Sequence, residues 1–204
     1  MNFDVQSLNN PEMYHLLVGG VLPRPIAWIS SKSESGIINL APYSFFTVAS
    51  VKPPVLSVTQ VNAQNGIEKD TVRNLRKTGE CVVNTVSTAQ LEVMNQSCAD
   101  YPPDASEFEK AGIEQCPSLT VAVPGVKDAK VRYECKLREI ITMGSTPGAG
   151  VMMLLDVLSV YVADDAYNNN NGHIRPDAAD LLGKMGGNEY THTRDCITLN
   201  RPTL

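Results

Sequence analysis

The chain lacks any excess of basic charge. Its 204 residues carry 17 Lys and Arg against 22 Asp and Glu, a formal net charge of −5. No electrostatic surplus is therefore available to grip nucleic acid or an anionic membrane, although a local basic pocket is compatible with that total. Cysteine is sparse and unpaired in sequence: Cys81, Cys98, Cys116, Cys135 and Cys196 are odd in number and form no CxxC. That argues against a disulfide framework or a zinc ribbon. The three histidines, His15, His173 and His192, lie far apart and make no HExxH, so each reads as a surface or capping residue rather than a metal ligand. A GxSxG elbow and a GxxxxGKS/T phosphate loop are missing, and Gly148-Ala149-Gly150 has Met153 where a dinucleotide fingerprint needs its third glycine. The longest strongly apolar segment, Val151 to Ala163, is interrupted by Asp156 and is too short to span a bilayer. The amino terminus, MNFDVQSLNN, carries an acid where a secretory signal carries basic residues. We therefore expect a soluble cytoplasmic protein with neither a nucleic-acid nor a membrane partner.

What is present is ordinary globular composition, 43% hydrophobic and 19% charged, in a chain of the size that one domain usually has, roughly 100 to 200 residues. With no convincing linker, the expectation is a single domain over residues 1–204. Asn10-Pro11-Glu12 looks like a helix start, and that helix must stop by Gly19-Gly20. Beyond the extended Pro23-Arg24-Pro25, Ile26 to Ser30 reads as a strand, Lys32 to Gly36 as a hairpin turn and Ile37 to Leu40 as the return. Phe45 to Ser50 and Val55 to Gln60 follow, split by Pro53-Pro54. Four short extended runs in succession suggest an antiparallel barrel or sandwich.

Helices intervene next. Lys69 to Thr78 is bounded by Asp70 as an N-cap candidate and by Gly79 as its stop, with Val72 and Leu75 on one face. Cys81 to Val86 is a strand; Ser87 to Gln90 has capping-box spacing ahead of a helix with Leu91, Met94 and Cys98 inward. Ser106 to Glu109 repeats that spacing. Lys130 to Thr142 and Val151 to Val162 are the longest strand candidates, and the second is apolar on both faces, which points to a central position or a subunit contact. The four asparagines Asn168 to Asn171 before Gly172 make a loop.

Two clusters carry possible chemistry. In Pro23 to Ser44, the polar residues Ser30, Ser31, Asn39 and Ser44 interrupt apolar strands near their ends, where donors can face a ligand on a rigid scaffold. A plain hairpin with ordinary turn residues has the same pattern. Lys69-Asp70-Thr71 opens a helix, so free N–H groups, a positive dipole end, a cation and a hydroxyl meet there, as a phosphate monoester requires. A capped surface helix reads the same way.

PRPIAWISS, GIINLAPYSFF, Pro53-Pro54, KDTVRN, ECKL and GKMGGNEY, in this order and spacing over about residues 13–190, resemble the flavin reductase-like, FMN-binding split-barrel family that includes flavoredoxin. The resemblance implies a mainly β fold with peripheral helices, a Greek-key antiparallel split β-barrel, and FMN as cofactor. It implies that the flavin is lined by Arg24, Ala27, Ser30, Ser31, Asn39, Leu40, Ala41, Pro42, Tyr43 and Ser44, with Trp28 as a candidate flank for the ring. Ser57, Thr59, Lys69, Asp70 and Thr71 are implied at the ribityl and phosphate end, and Gly187 and Tyr190 in a tail that closes near the cofactor from the partner subunit of a homodimer. The implied activity is NAD(P)H:flavin reduction with NADH or NADPH as transient reductant, the chemistry residing in the flavin rather than in a catalytic side chain. Where many similar proteins have a histidine before the strand matching Val151 to Val162, this chain has Gly148-Ala149-Gly150. The competing readings are a non-catalytic flavin electron carrier reduced by a partner protein, and a barrel that has lost its cofactor.

Overall fold

The computed structural model describes residues 1–203. Helix α1 spans Asn10–Gly20 and starts on a reciprocal capping box. Asn9 Oδ1 accepts from the Glu12 N–H at 2.9 Å while the Glu12 carboxylate accepts from the Asn9 N–H at 3.0 Å. The cap thus sits one residue ahead of Asn10. The elements that follow are β1 Arg24–Pro25, β2 Ala27–Lys32, β3 Ile38–Tyr43, β4 Phe45–Ser50, β5 Val55–Val61, α2 Asp70–Thr78, β6 Glu80–Asn84 and α3 Leu91–Gln96. Then come α4 Glu107–Lys110, β7 Gln115–Cys116, β8 Gly125–Val126, β9 Val131–Thr142, β10 Gly150–Val162, β11 Tyr167–Asn168 and β12 His173–Ile174. The chain ends with α5 Pro176–Ala179, β13 Leu182–Lys184 and β14 Tyr190–His192. No described helix is long and apolar enough to cross a membrane.

Seven strands form one antiparallel sheet in the order β3-β2-β6-β9-β10-β5-β4. Its two edge strands, β3 and β4, are consecutive in the chain and separated only by Ser44. Two residue steps reach at most roughly 7 Å, so the sheet curls until its opposite edges meet at Ser44, without a ladder joining them. The result is a mainly β domain with peripheral helices and a barrel split along one seam. A small sheet, β1-β13-β14, ties the tail back to the start of the barrel.

Strand alternation divides the interior in two. Ala27 and Ile29 of β2 pack beneath Val72 and Leu75 of α2. Trp28 points the other way, into a second cluster with Leu40, Met94 and Phe108. Helix α2 ends at Gly79, whose φ of +72° is the left-handed cap that glycine takes without steric cost; its N–H reaches the Leu75 carbonyl. Strand β10 is flanked by β9 and β5, as its two-sided apolar character predicts, and Val151, Met153 and Leu155 are buried. Beyond Asp156 only β9 pairs with it, and Leu158, Val160 and Tyr161 are exposed.

Three local expectations change. Lys69, not Asp70, is the N-cap residue of α2, and no side chain caps that helix; Asp70 instead pairs with Arg73. Ser106 does not cap α4, because its hydroxyl donates to the Ile38 carbonyl at 2.6 Å and holds the short helix against β3. Cys98 is exposed rather than inward, since α3 ends at Gln96.

Candidate functional site

The seam opens into a cavity of about 330 Å³, within the range of ligand pockets, about 300–1,000 Å³. One wall is the end of β3 and the seam residue, with Asn39, Ala41, Pro42, Tyr43 and Ser44. The start of α2 contributes Lys69, Asp70 and Thr71, and β5 contributes Thr59, Gln60 and Val61. Tyr14 from α1, Glu107 from α4 and the segment Ser97 to Tyr101 complete the lining.

The β3 wall is held by a buried polar network. Glu107, only 7% exposed, accepts from Asn39 Nδ2 at 2.9 Å with one carboxylate oxygen and from the Leu40 N–H at 2.8 Å with the other. Asn39 Oδ1 in turn accepts from Thr71 Oγ1 at 3.0 Å and from Ser31 Oγ at 3.4 Å. Asn74 Nδ2 donates to Ser31 Oγ at 3.1 Å. β3, β2, α2 and α4 are thereby locked together, as buried polar groups require partners. Burial pushes the Tyr43 hydroxyl pKa well above its ordinary value; its hydrogen bond with Thr71 opposes that, and the charges of Asp70 and Glu107 add to it. Tyr43 is therefore a neutral hydroxyl at physiological pH.

At the α2 side no side chain caps the first N–H groups of this nine-residue helix, and Lys69 and Asp70 both line the cavity; Lys69 Nζ lies 3.4 Å from Asp100 Oδ1 in an exposed pair. The β5 wall differs: Gln60 is 4% exposed, and its Oε1 is the one buried side-chain polar atom without a hydrogen-bond partner among the described residues.

A smaller cavity of about 130 Å³ adjoins, sharing Pro42, Tyr43, Ser44 and Cys98 with the first and adding Lys184 and Tyr190. Lys184 Nζ lies 4.3 Å above the Tyr190 ring. Burial, then the nearby Arg24 charge, lowers the Lys184 pKa, against the opposing influence of Cys98 and Glu189. Although Cys98 is exposed overall, partial desolvation of its thiol where it borders the two cavities raises its pKa, with Lys184 and Lys69 opposing. Among the described residues no histidine lines either cavity.

Most of the sequence-derived candidates gather here: Asn39, Ala41, Pro42, Tyr43, Ser44, Thr59, Lys69, Asp70 and Thr71 line the main cavity and Tyr190 the adjoining one. Ser31 stands directly behind Asn39. Arg24 is a clamp, its guanidinium donating to Ser44 Oγ, to the Val18 and Val21 carbonyls and to the Met185 carbonyl. Gly187 offers its carbonyl to Lys184 Nζ. Other candidates are not brought in. Trp28 lies in the core on the opposite face of β2, its indole N–H donating to Ser97 Oγ at 3.0 Å. Ser30 shares that face and donates to the Pro124 carbonyl. Ala27 is packed under α2, Leu40 belongs to the Trp28 cluster, and Ser57 is buried in β5 outside the cavity. Tyr190 lines the adjoining cavity of its own chain. Glu107 and Gln60 escaped the sequence reading: the former was absorbed into a capping pattern, the latter ended an ordinary strand.

Residues 19–177 match the family described as flavin reductase like domain. An uncharacterized protein of Halalkalibacterium halodurans is 37% identical over 206 residues, covering 100% of this chain and 98% of the relative. Nitrilotriacetate monooxygenase component B from Bacillus cereus superposes with a TM-score of 0.91 at 31% identity, with 98% of each chain covered. The 2-nitrobenzoate 2-nitroreductase NbaA of Pseudomonas fluorescens superposes at 0.89 with 30% identity, covering 100% of this chain and 97% of that one. With a split barrel, a seam cavity and this extent of likeness, the chain belongs to the flavin reductase-like family.

Proposed function

We propose that this chain is an FMN-dependent oxidoreductase, most simply an NAD(P)H:flavin reductase. The observation that carries the reading is the seam cavity itself: an uncapped helix start with Lys69 and Thr71 at one end, and the β3 wall from Ala41 to Ser44 at the other. FMN fits this donor set. The α2 amides and Lys69 suit the phosphate, and the half-buried stretch Ala41 to Phe45 suits a planar ring. Bound FMN supplies a two-electron carrier, which accounts for a site without a nucleophile and base pair. The chain's own residues bind and orient: Glu107 and Thr71 fix the Asn39 amide, Arg24 braces Ser44, and Tyr43 keeps its proton.

The adjoining cavity between Ser44 and Tyr190 leaves room beside the ring wall for a nicotinamide or another flat partner. Anaerobic mixing of the FMN-loaded protein with NADH and with NADPH is expected to bleach the flavin absorbance with at least one of them. Bleaching by neither, with dithionite reduction intact, would transfer the assignment to an electron carrier served by a protein partner. Free thiols support a cytoplasmic location. Exposed Leu17, Val21, Leu22, Val48 and Val51 support a homodimer that covers them; sedimentation at a single monomeric mass would remove that part.

A further inference from the structure

We infer that the smaller, adjoining cavity is a second binding site, for a flat ring that carries a carboxylate, and that Lys184 is the residue that reads the charge. The ligand is distinct from the cofactor. Its charge recognition stands without FMN; only its position beside the flavin ring rests on the FMN reading.

The first observation is a pair of cations without a counter-ion. In the ladder of β1 with β13, Arg24 stands directly opposite Lys184, an arrangement in which like charges destabilise a sheet. Among the described residues neither forms an ion pair with a carboxylate. Arg24 is 4% exposed and is met by Ser44 Oγ and by the carbonyls of Val18, Val21 and Met185. Carbonyls at the end of α1 carry partial negative charge, which does not neutralise a guanidinium and an ammonium together. Lys184 Nζ donates to the Gly187 and Glu189 main-chain carbonyls, which leaves one of its three N–H groups for a ligand. Burial and Arg24 both disfavour the charged form of Lys184, and an anion beside it offsets the repulsion.

The second observation is what surrounds that cation. Ile26, Pro42, Tyr43, Met94 and Tyr190 give the cavity apolar and aromatic walls. One cation among such walls complements a ring with one charged substituent. A bare inorganic anion would leave the walls wet, and a neutral ring would leave Lys184 unmatched. The volume, about 130 Å³, is on the scale of one small ring. Because Tyr43 and Ser44 line both cavities, a ring held here lies against the β3 wall of the main cavity.

The test titrates benzoate, the neutral isostere benzamide and inorganic phosphate into the full-length protein by calorimetry, ligand-free and FMN-loaded, as wild type, Lys184→Met and Lys184→Arg. Wild type is expected to bind benzoate about tenfold more tightly than benzamide, the worth of one charged hydrogen bond partly open to water. Lys184→Met should remove that preference by weakening benzoate alone, Lys184→Arg should retain it, and FMN affinity, read by flavin fluorescence, should not change in either. Should Lys184→Met loosen the tail, seen as a lower ligand-free melting temperature, the wild-type comparison and Lys184→Arg decide. Equal binding of benzoate and benzamide overturns the inference, as does phosphate binding as tightly as benzoate, which would reduce the site to a charge without a ring. A benzoate preference that vanishes once FMN is bound also overturns it, by giving the cavity to the cofactor. A chain that binds no FMN yet prefers benzoate sinks the FMN reading and leaves this site standing, whereas FMN binding without a benzoate preference does the reverse.

Discussion

The two long walls of the seam cavity solve opposite problems. On the β3 and α2 side, Glu107, Asn39, Thr71, Ser31 and Asn74 satisfy one another, so the wall is preorganised before any ligand arrives. On the β5 side, Gln60 is left with an acceptor that nothing in the protein meets. A closed network gives shape and rigidity, whereas an unpaired buried acceptor costs stability.

The comparison breaks most visibly at Glu107. Glu107→Leu strands the Asn39 amide and the Leu40 N–H, and should lower stability by about 3 kcal/mol, the scale for removing one partner of a buried charged hydrogen-bond set. Urea unfolding followed by circular dichroism measures it; a loss under about 1 kcal/mol would show that the network does not hold the wall. Flavin affinity should fall with it.

A pH titration sharpens the same contrast. The folded Tyr43 pKa lies above its unfolded value near 10, so between the two the folded state holds a proton that the unfolded state releases. The associated stability is complete below the unfolded pKa and is lost as pH rises beyond about 10. Tyr43→Phe should flatten that alkaline limb in denaturant midpoints measured from pH 8 to 11; an unchanged slope would mean that Tyr43 is not held neutral by the wall. The smallest effect belongs to the exposed Lys69. Lys69→Ala should weaken FMN about two- to fivefold, the worth of one solvated charge at a helix start, and leave riboflavin alone, since riboflavin has no phosphate. Equal losses would separate Lys69 from the phosphate.

Legibility in the sequence followed the range of the interactions. The start of α1, the stop at Gly79, the β2–β3 hairpin and the two-sided apolar β10 were readable because each rests on contacts within a few residues or on simple alternation. Lys69 to Thr71 was readable for the same reason, a helix start being local. Trp28 and Ser30 were misplaced because alternation tells that neighbours face opposite ways but not which face borders the cavity. Ser106 was misread because a carbonyl at Ile38, 68 positions away, took its hydroxyl from the helix end.

By itself, the order of residues determined the strands and helices, the exclusion of metal and phosphate-loop motifs as organising features, and the family likeness, all of which depend on local spacing or on an ordered set of short motifs. Only the tertiary structure decided that β3 and β4 become opposite edges meeting at Ser44, that Glu107 buttresses Asn39 across 68 positions, and that Gln60 Oε1 is buried with no partner. The physical reason is that burial and hydrogen-bond satisfaction belong to the closed sheet as a whole: no residue's neighbours along the chain reveal which buried donor another segment will bring, or fail to bring, to it.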